Sequence, residues 1–514
     1  MLKVFSRPSV RAYSTLHTKP IKSQTVSRSY PPSLDVEQLY PRFPRASYKP
    51  INEILNSWDR LSAAADTVRT YGRVARVRDN GGLIFIDLQH LNASIQVMMS
   101  VRDLENSPDQ ASLNAKYLKP GDSIEVEGQL VCSSTSVRSI KPSRDVRFLS
   151  VAQNIPSILR LKKDQLVSNR VLEYKLRPEL KDHLVARALI IKQIRNFLDS
   201  KSFIEVNTPI LSSAASGAVA SPFITTSRFI RKKNKQLQLR IAPELWLKRL
   251  ITSGLDRIYE LGPCFRNEGI DPTHNPEFTT CEFYTSFSQI HDLVQLTQNL
   301  LTSFFDIPEL EPYLKEAPAS LREKDFQIID FVPYVEQKIG TSLPKLSSNN
   351  STLVTDLISI FEQNNIALPA SKTAPALLET LAEIYIEPAC IKPTFVMNHP
   401  EILSPLAKSF TSPEGHVLSP RFELYINGKE LCNAYEEENS PDEQLRKFQE
   451  QLDNKLIEYD LPVIDQDYIQ SLRLGMPPTA GWGIGIDRLC MQLLGLQNIH
   501  DVLPFGGLNQ TLSQ

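Results

Sequence analysis

The chain has 514 residues, 41% apolar and 22% charged, which is ordinary for a globular protein and long enough for two to four domains with more than one core. No window approaches the ~18 uncharged apolar residues of a membrane span, which excludes a transmembrane helix. A formal net charge of −1 excludes nucleic-acid binding through an overall positive field, so any such contact must come from local patches.

The first stretch is the exception to that neutrality. Up to Leu34 it carries Lys3, Arg7, Arg11, Lys19, Lys22 and Arg28, many hydroxyls and no acid before Asp35. A basic, hydroxyl-rich, acid-free leader predicts a mitochondrial transit segment over residues 1–34 and a destination in the matrix. Arg11-Ala12-Tyr13-Ser14 offers a cleavage context; the alternative is a basic tail that touches RNA. Losing those six cations takes the charge from −1 to −7. The six cysteines (Cys132, Cys264, Cys281, Cys390, Cys432, Cys490) form no C-x-x-C pair, which argues against a disulfide framework or zinc site and for a reducing compartment.

Residues 35–66 read as a helical extension, with Ile54, Leu55, Trp58 and Leu61 at helical spacing. From Val68 the pattern turns to short alternating strands: VRTYGRVARVR, LIFIDLQ after Asn80-Gly81-Gly82, ASIQVMM, and SIEVEGQLVCS after Pro120-Gly121-Asp122. With a helix-like segment between Val101 and Leu118, residues 67–155 suit a five-stranded OB barrel, although alternation alone permits another small barrel. Residues 156–180 read as a polar hinge. Within residues 181–514, Leu184, Ala188, Ile191, Ile194 and Leu198 mark an amphipathic helix, followed by a strand that closes at Pro209. Residues 293–388 read as a helical insertion with polar breaks.

Two stretches carry the chemistry. YELGPCFRNEGIDPTHNPEFTTCEFY, Tyr259 to Tyr284, sets Arg266, Glu268, His274 and Phe278 on one loop between strand-like runs. GWGIGIDRL, Gly481 to Leu489, delivers Arg488 from the end of a glycine-punctuated strand. Two distant arginines with an acid and an aromatic between them are what a nucleotide polyphosphate and its purine need. The G-x-G-x-G spacing, with no room for a βαβ unit after it, is not a dinucleotide fingerprint. A third stretch, RFELYINGKELCNAYEEENSP, sets Glu423 and Glu430 on the two strands of a hairpin that turns at Asn427-Gly428.

The first two stretches resemble motifs 2 and 3 of the class II aminoacyl-tRNA synthetases, and the helix–strand–proline run resembles motif 1. The resemblance spans roughly Val68 to Leu503 and implies an α+β fold: an OB barrel, then an antiparallel sheet flanked by helices. It implies ATP and Mg²⁺ as reactants and a homodimer built through motif 1. Arg266 would hold carboxylate and α-phosphate together, acting with Arg488 as the catalytic pair. Glu268 would accept from the adenine amino group, His274 would sit near the terminal phosphates, and Phe278 and Arg488 would cover the two purine faces. Glu423 and Glu430 would hold Mg²⁺. The residues Gly217, Glu244, Arg266, Glu282, Tyr284, Asn433, Tyr435 and Glu437 match the lysine-specific branch. There Glu437 and Tyr284, supported by Glu282, would meet the ε-ammonium. Glu244 and the backbone near Gly217 would meet the α-ammonium, Asn433 with Arg266 the carboxylate, and Tyr435 the aliphatic stem. In that subgroup the barrel reads the anticodon, here of tRNA(Lys), through Arg73, Phe85 and Gln96.

The aspartyl and asparaginyl relatives are the nearest alternative. They carry Ser-Pro-Gln where this chain has Ala242-Pro243-Glu244, and an arginine within the segment that here reads Asn433-Ala434-Tyr435-Glu436-Glu437. An aspartate among Glu244, Glu282 and Glu437 would meet like charge throughout. An inactive tRNA-binding paralogue would have lost Arg266, Glu423, Glu430 or Arg488, and all four are present. A ligase that modifies proteins would lack the barrel. The tail PFGGLNQTLSQ departs from the usual family ending.

Overall fold

The computed structural model describes residues 34–43, 46–100, 102, 114–133, 136–153, 169–212, 220–227, 236–453 and 464–508. The transit segment read from the sequence lies outside them except for Leu34, as does Gly217. Two compact units emerge, Met1–Leu161 and Lys162–Gln514. Among the described residues no helix is long and apolar enough to cross a membrane.

In the first unit, β1 (Thr67–Asp79), β2 (Leu83–His90), β3 (Ala93–Ser100), β4 (Ser123–Cys132), β5 (Arg138–Pro142) and β6 (Arg147–Ser150) form one sheet. Its order is β1-β2-β3-β5-β4-β6, and an additional β1–β4 pairing closes five of the strands into a barrel. Closure works because β1 is 13 residues long and serves two partners. Its first half, Thr67–Arg73, pairs with β4, and Arg73–Asp79 pairs with β2 across an irregularity between Val74 and Arg76. Alternation sends Val68, Val74, Ile84, Ile86, Leu88, Val97, Ile124, Val126 and Ile140 inward. The helical extension holds three short helices, Val36–Leu39, Ile51–Asn56 and Trp58–Ala63, whose Leu39, Ile54, Trp58 and Leu61 join the same core.

In the second unit the strands β7 (Ile204–Glu205), β8 (Leu211–Ser212), β9 (Ile224–Thr225), β10 (Leu237–Leu239), β11 (Arg257–Phe265), β12 (Glu277–Ser286), β13 (Gln327–Asp330), β14 (Thr394–Met397), β15 (Phe410–Thr411), β16 (Val417–Leu418), β17 (Arg421–Ile426), β18 (Lys429–Glu436) and β19 (Thr479–Gly485) are described. Eight of them form a sheet in the order β13-β14-β17-β18-β19-β12-β11-β7. The central pairings, from β14 to β11, are antiparallel; only the two edge pairings, β13–β14 and β11–β7, are parallel. One face packs on helices Glu179–Ser200, Ile290–Ser303 and Ile486–Leu494 around Phe283 and Trp482, whose rings stack at 4.7 Å. The buried indole is satisfied by donating to Thr297 Oγ1 at 2.9 Å.

Two expectations change in detail. The helix Glu179–Ser200 buries Ala186, Ile190, Ile194 and Leu198, whereas Ala188 is exposed and Leu184 and Ile191 are half-buried. The run Leu189-Ile190-Ile191 makes the apolar stripe wide, so sequence spacing alone allows the helix to be turned either way. The segment read as a helical insertion with polar breaks, residues 293–388, also supplies β13 to the sheet edge. Its helices Phe331–Ile339, Leu353–Gln363 and Ala374–Tyr385 pack around their own cluster, including Val335, Leu357, Phe361 and Leu378.

Candidate active site

The face of the sheet opposite those helices floors a cleft of about 490 Å³. The floor follows from the alternation of β19. Ala480, Trp482 and Ile484 enter the core, which leaves Gly481, Gly483 and Gly485 on the cleft side. Side chains there would fill the space. A Cβ on Gly481 would overlap Glu437 Oε1 and stand 2.5 Å from Tyr284 Cε1, and one on Gly483 would stand 3.3 Å from Glu282 Cγ. The G-x-G-x-G run is therefore a flat strand over which neighbouring side chains and a ligand can lie.

Strand register gathers the functional groups into rows. Glu260 pairs with Glu282, Glu282 with Gly483, Gly483 with Asn433, and Asn433 with Glu423, a line across five strands. The adjacent row runs Tyr284, Gly481, Tyr435, Arg421. Residues far apart in sequence thus become neighbours about 5 Å apart.

Of the residues singled out from the sequence, Glu244, Arg266, Glu268, His274, Phe278, Glu282, Glu430, Asn433, Tyr435 and Arg488 all line the cleft. Arg266 lies with its guanidinium carbon 5.2 Å from the centre of the Phe278 ring, and among the described residues its buried Nε has no hydrogen-bond partner. His274 is oriented at both nitrogens: Nδ1 lies 2.7 Å from Asp271 Oδ2 and Nε2 lies 2.6 Å from Arg488 Nη2. Since Arg488 can only donate, Nε2 accepts and the ring proton sits on Nδ1, facing the carboxylate. Arg488 also donates to the Glu430 carbonyl at 2.9 Å. The two arginines and His274 thus edge one end of the cleft.

Tyr284, Glu437 and Glu423 stand behind the cleft wall. Glu437 is buried and faces Lys248, a fully buried lysine on helix Glu244–Thr252 that also donates to Glu244 Oε1 at 2.6 Å. The Tyr435 hydroxyl donates to the same Glu244 oxygen at 2.7 Å, and the Tyr284 hydroxyl to Glu282 Oε2 at 3.3 Å. Apart from that contact with Lys248, the two Glu437 oxygens have no hydrogen-bond partner among the described residues. Burial, and next the nearby Glu244, pushes the Glu282 carboxyl up to about 8. Burial would lower Lys248, but Glu244 and Glu437 overcome it and hold the ammonium charged.

The second acidic pair is asymmetric. Glu423 ion-pairs with Arg421, accepts from the Tyr425 hydroxyl at 2.8 Å, and lies 3.3 Å from His399 Nε2. Burial alone would raise its carboxyl; Arg421 and then His399 reverse that and hold it far below the usual range. Glu430, half-buried, is pushed up to about 7 by the part of its carboxyl removed from water and by Glu423. A second acid that ionises reluctantly beside a first is a donor set that a hard divalent cation would relieve, so this pair fits Mg²⁺.

In the barrel, Phe85 is half-buried on the outer side with the Arg78 guanidinium 5.7 Å over its ring. Gln96 Oε1 accepts from Ser139 at 3.1 Å, and Arg73 is exposed opposite Gln89. Lys248, Arg421, His399 and Glu379, the last lining the cleft from the insertion, were not singled out from the sequence. Only Lys248 left a local signal, four residues after Glu244 on a helix.

Residues 162–509 match the model of the class II tRNA synthetases (D, K and N), and residues 68–144 match the OB-fold nucleic-acid-binding domain. The chain is 36% identical to the mitochondrial lysine–tRNA ligase of Schizosaccharomyces pombe, over 90% of this chain and 89% of that protein. It is 38% identical to the mitochondrial lysine–tRNA ligase of Saccharomyces cerevisiae, over 85% and 81%. It is 34% identical to the probable cytoplasmic lysine–tRNA ligase of Encephalitozoon cuniculi, over 91% and 92%. With a sheet that assembles the two arginines, the acids and the glycine floor in one cleft, the chain belongs to the class II tRNA synthetases of the D, K and N group.

Proposed function

We propose that this chain is a lysine–tRNA ligase of the mitochondrial matrix, working as a homodimer that activates L-lysine with ATP and charges tRNA(Lys). The observation that carries the reading is the gathering of Glu244 and Glu282, which line the cleft, with the buried Glu437 behind its wall, beside Glu244's partner Lys248. A buried carboxylate cluster of that kind favours a ligand with ammonium groups and rejects an acidic side chain.

The chemistry divides among the residues as follows. The lysine carboxylate attacks the α-phosphorus of ATP in line, and pyrophosphate leaves. Arg266, with its open Nε and planar fork, is suited to hold carboxylate and α-phosphate in one geometry and to oppose the charge that grows on the phosphate oxygens. Asn433 assists at the carboxylate. Arg488 and the Asp271-oriented ring of His274 serve the triphosphate and purine end. Phe278 offers a purine face once the Arg266 guanidinium moves from its ring toward the phosphates. Glu423 and Glu430 would hold Mg²⁺, which when bound offsets negative charge on the phosphates. In the second half-reaction the 3′-terminal adenosine hydroxyl takes the lysyl group and AMP leaves; the protein supplies no covalent nucleophile. The outer barrel face with Arg73, Phe85 and Gln96 suits stacking and edge recognition of unpaired anticodon bases.

Charging of a tRNA(Lys) transcript with lysine, dependent on ATP and Mg²⁺, tests the proposal. Glu437→Gln is expected to raise the KM for lysine by roughly 100-fold or more while moving that for ATP less than about threefold, since one buried charge contact is lost on the amino-acid side alone. Equal losses for both substrates would remove Glu437 from the amino-acid pocket.

A further inference from the structure

Lys248 is not needed to explain the fold of its helix. Its side chain is fully inaccessible to solvent, it donates to Glu244 Oε1 at 2.6 Å, and it ion-pairs with Glu437. The ring of Tyr435 lies 5.5 Å from its ammonium, completing an aromatic wall. A lone lysine is rarely placed at such depth, because desolvating its charge is costly unless carboxylates surround it. Here the two carboxylates it holds belong to different elements, Glu244 to the helix and Glu437 to the segment just after β18. They are also two of the three acids that make the pocket cationic in preference.

With lysine bound and Glu282 having given up its proton, Glu244, Glu282 and Glu437 carry three negative charges against the one positive charge of Lys248. The remaining deficit is two positive charges, and free lysine carries two ammonium groups; its carboxylate is matched separately by Arg266. We propose that Lys248 is a positioning and specificity-determining residue: a built-in ammonium that fixes Glu244 and Glu437 as an oriented pair and sets the pocket's charge deficit to that of a diamino acid. The inference rests on the reading of this pocket as a lysine site.

Geometry supports the positioning half of the claim. Glu437 faces the place where a Gly481 side chain would be, so its carboxylate is confined between β19 and Lys248. Without the internal ammonium the two acids would stand close together with like charge. They would separate or take up a proton, and either change removes the arrangement that receives the substrate's amines.

The test is a double-mutant cycle on the full-length protein, read by lysine-dependent pyrophosphate exchange with separate KM and kcat for lysine and ATP. Lys248→Met is expected to raise the lysine KM at least tenfold with the ATP KM changed less than twofold, and Lys248→Arg, which keeps the charge, to recover most of that loss. Lys248→Met combined with Glu437→Gln is expected to bind lysine no worse than the poorer single variant, because the pair acts as one unit. That double variant also removes the uncompensated charge, so it reports even if Lys248→Met alone does not fold. An unchanged lysine KM in Lys248→Met overturns the proposal. So does a double-variant loss equal to the product of the single losses, or equal damage to the lysine and ATP constants. Failure of lysine to drive exchange in the unaltered protein is a different result: it overturns the lysine reading itself.

Discussion

Glu282 is where local environment and ligand are most tightly linked. Its carboxyl, pushed up to about 8 by burial and Glu244, keeps its proton in the folded protein well above the ordinary 4.5. The stability contributed by that neutral form is complete below about 4.5 and is lost as pH rises through about 8, since the unfolded chain has already released the proton. An arriving ammonium favours the carboxylate, so lysine binding near neutral pH should expel a proton, and affinity should rise between about pH 6 and 8 and then level. Calorimetric titrations in buffers of different ionisation enthalpy measure that proton directly; Glu282→Gln should abolish its release. Binding at pH 7 with no buffer dependence would show that Glu282 does not change its protonation when lysine binds, and would contradict this account. Gly481 offers a steric test at the same scale. A methyl there overlaps Glu437 Oε1 and presses on Tyr284, so Gly481→Ala should raise the lysine KM by roughly 100-fold, the scale of a displacement of about 1 Å at a reacting site. An alanine variant with unaltered lysine kinetics would mean that Glu437 moves freely.

Elements differ in how much of themselves they write into the sequence. The loop from Arg266 to Phe278 and the glycine strand β19 are contiguous, and each glycine has its reason in alternation, so both were legible residue by residue. The hairpin acids were legible once the Asn427-Gly428 turn was read; both residues take positive φ there. The core face of helix Glu179–Ser200 was not, because a wide apolar stripe leaves its rotation to tertiary packing. Strand β13, four residues long, is too short to show a period. The ties that set elements against one another are the least legible, because they join buried charges across long stretches of chain. Arg240 ion-pairs with Glu260 on β11 and donates to Thr208 Oγ1 at 3.0 Å and the Pro263 carbonyl at 2.8 Å, while Glu260 accepts from the Thr208 amide and hydroxyl. Arg240→Met would leave Glu260 buried without its cation and should lower stability by about 3–5 kcal/mol, seen as a fall in the urea midpoint. A shift worth less than about 1 kcal/mol would show that water compensates the acid.

At the scale of the whole molecule there are two units with separate cores: a closed barrel that matches the OB-fold nucleic-acid-binding domain and a mostly antiparallel sheet that floors a cleft. The architecture was legible because each unit has its own hydrophobic period, and the resemblance runs through nearly the whole chain from Val68 on. The internal ammonium at Lys248 was not, since nothing local marks a lysine whose partners are brought together only by folding. Yet it is charge, more than shape, that separates a lysine pocket from those of the aspartyl and asparaginyl relatives. Pyrophosphate exchange into ATP, measured with each of the twenty amino acids supplied alone, tests that claim most directly. Exchange driven by lysine and by no other at comparable concentration is the expected result; exchange driven by aspartate or asparagine and not by lysine would contradict it.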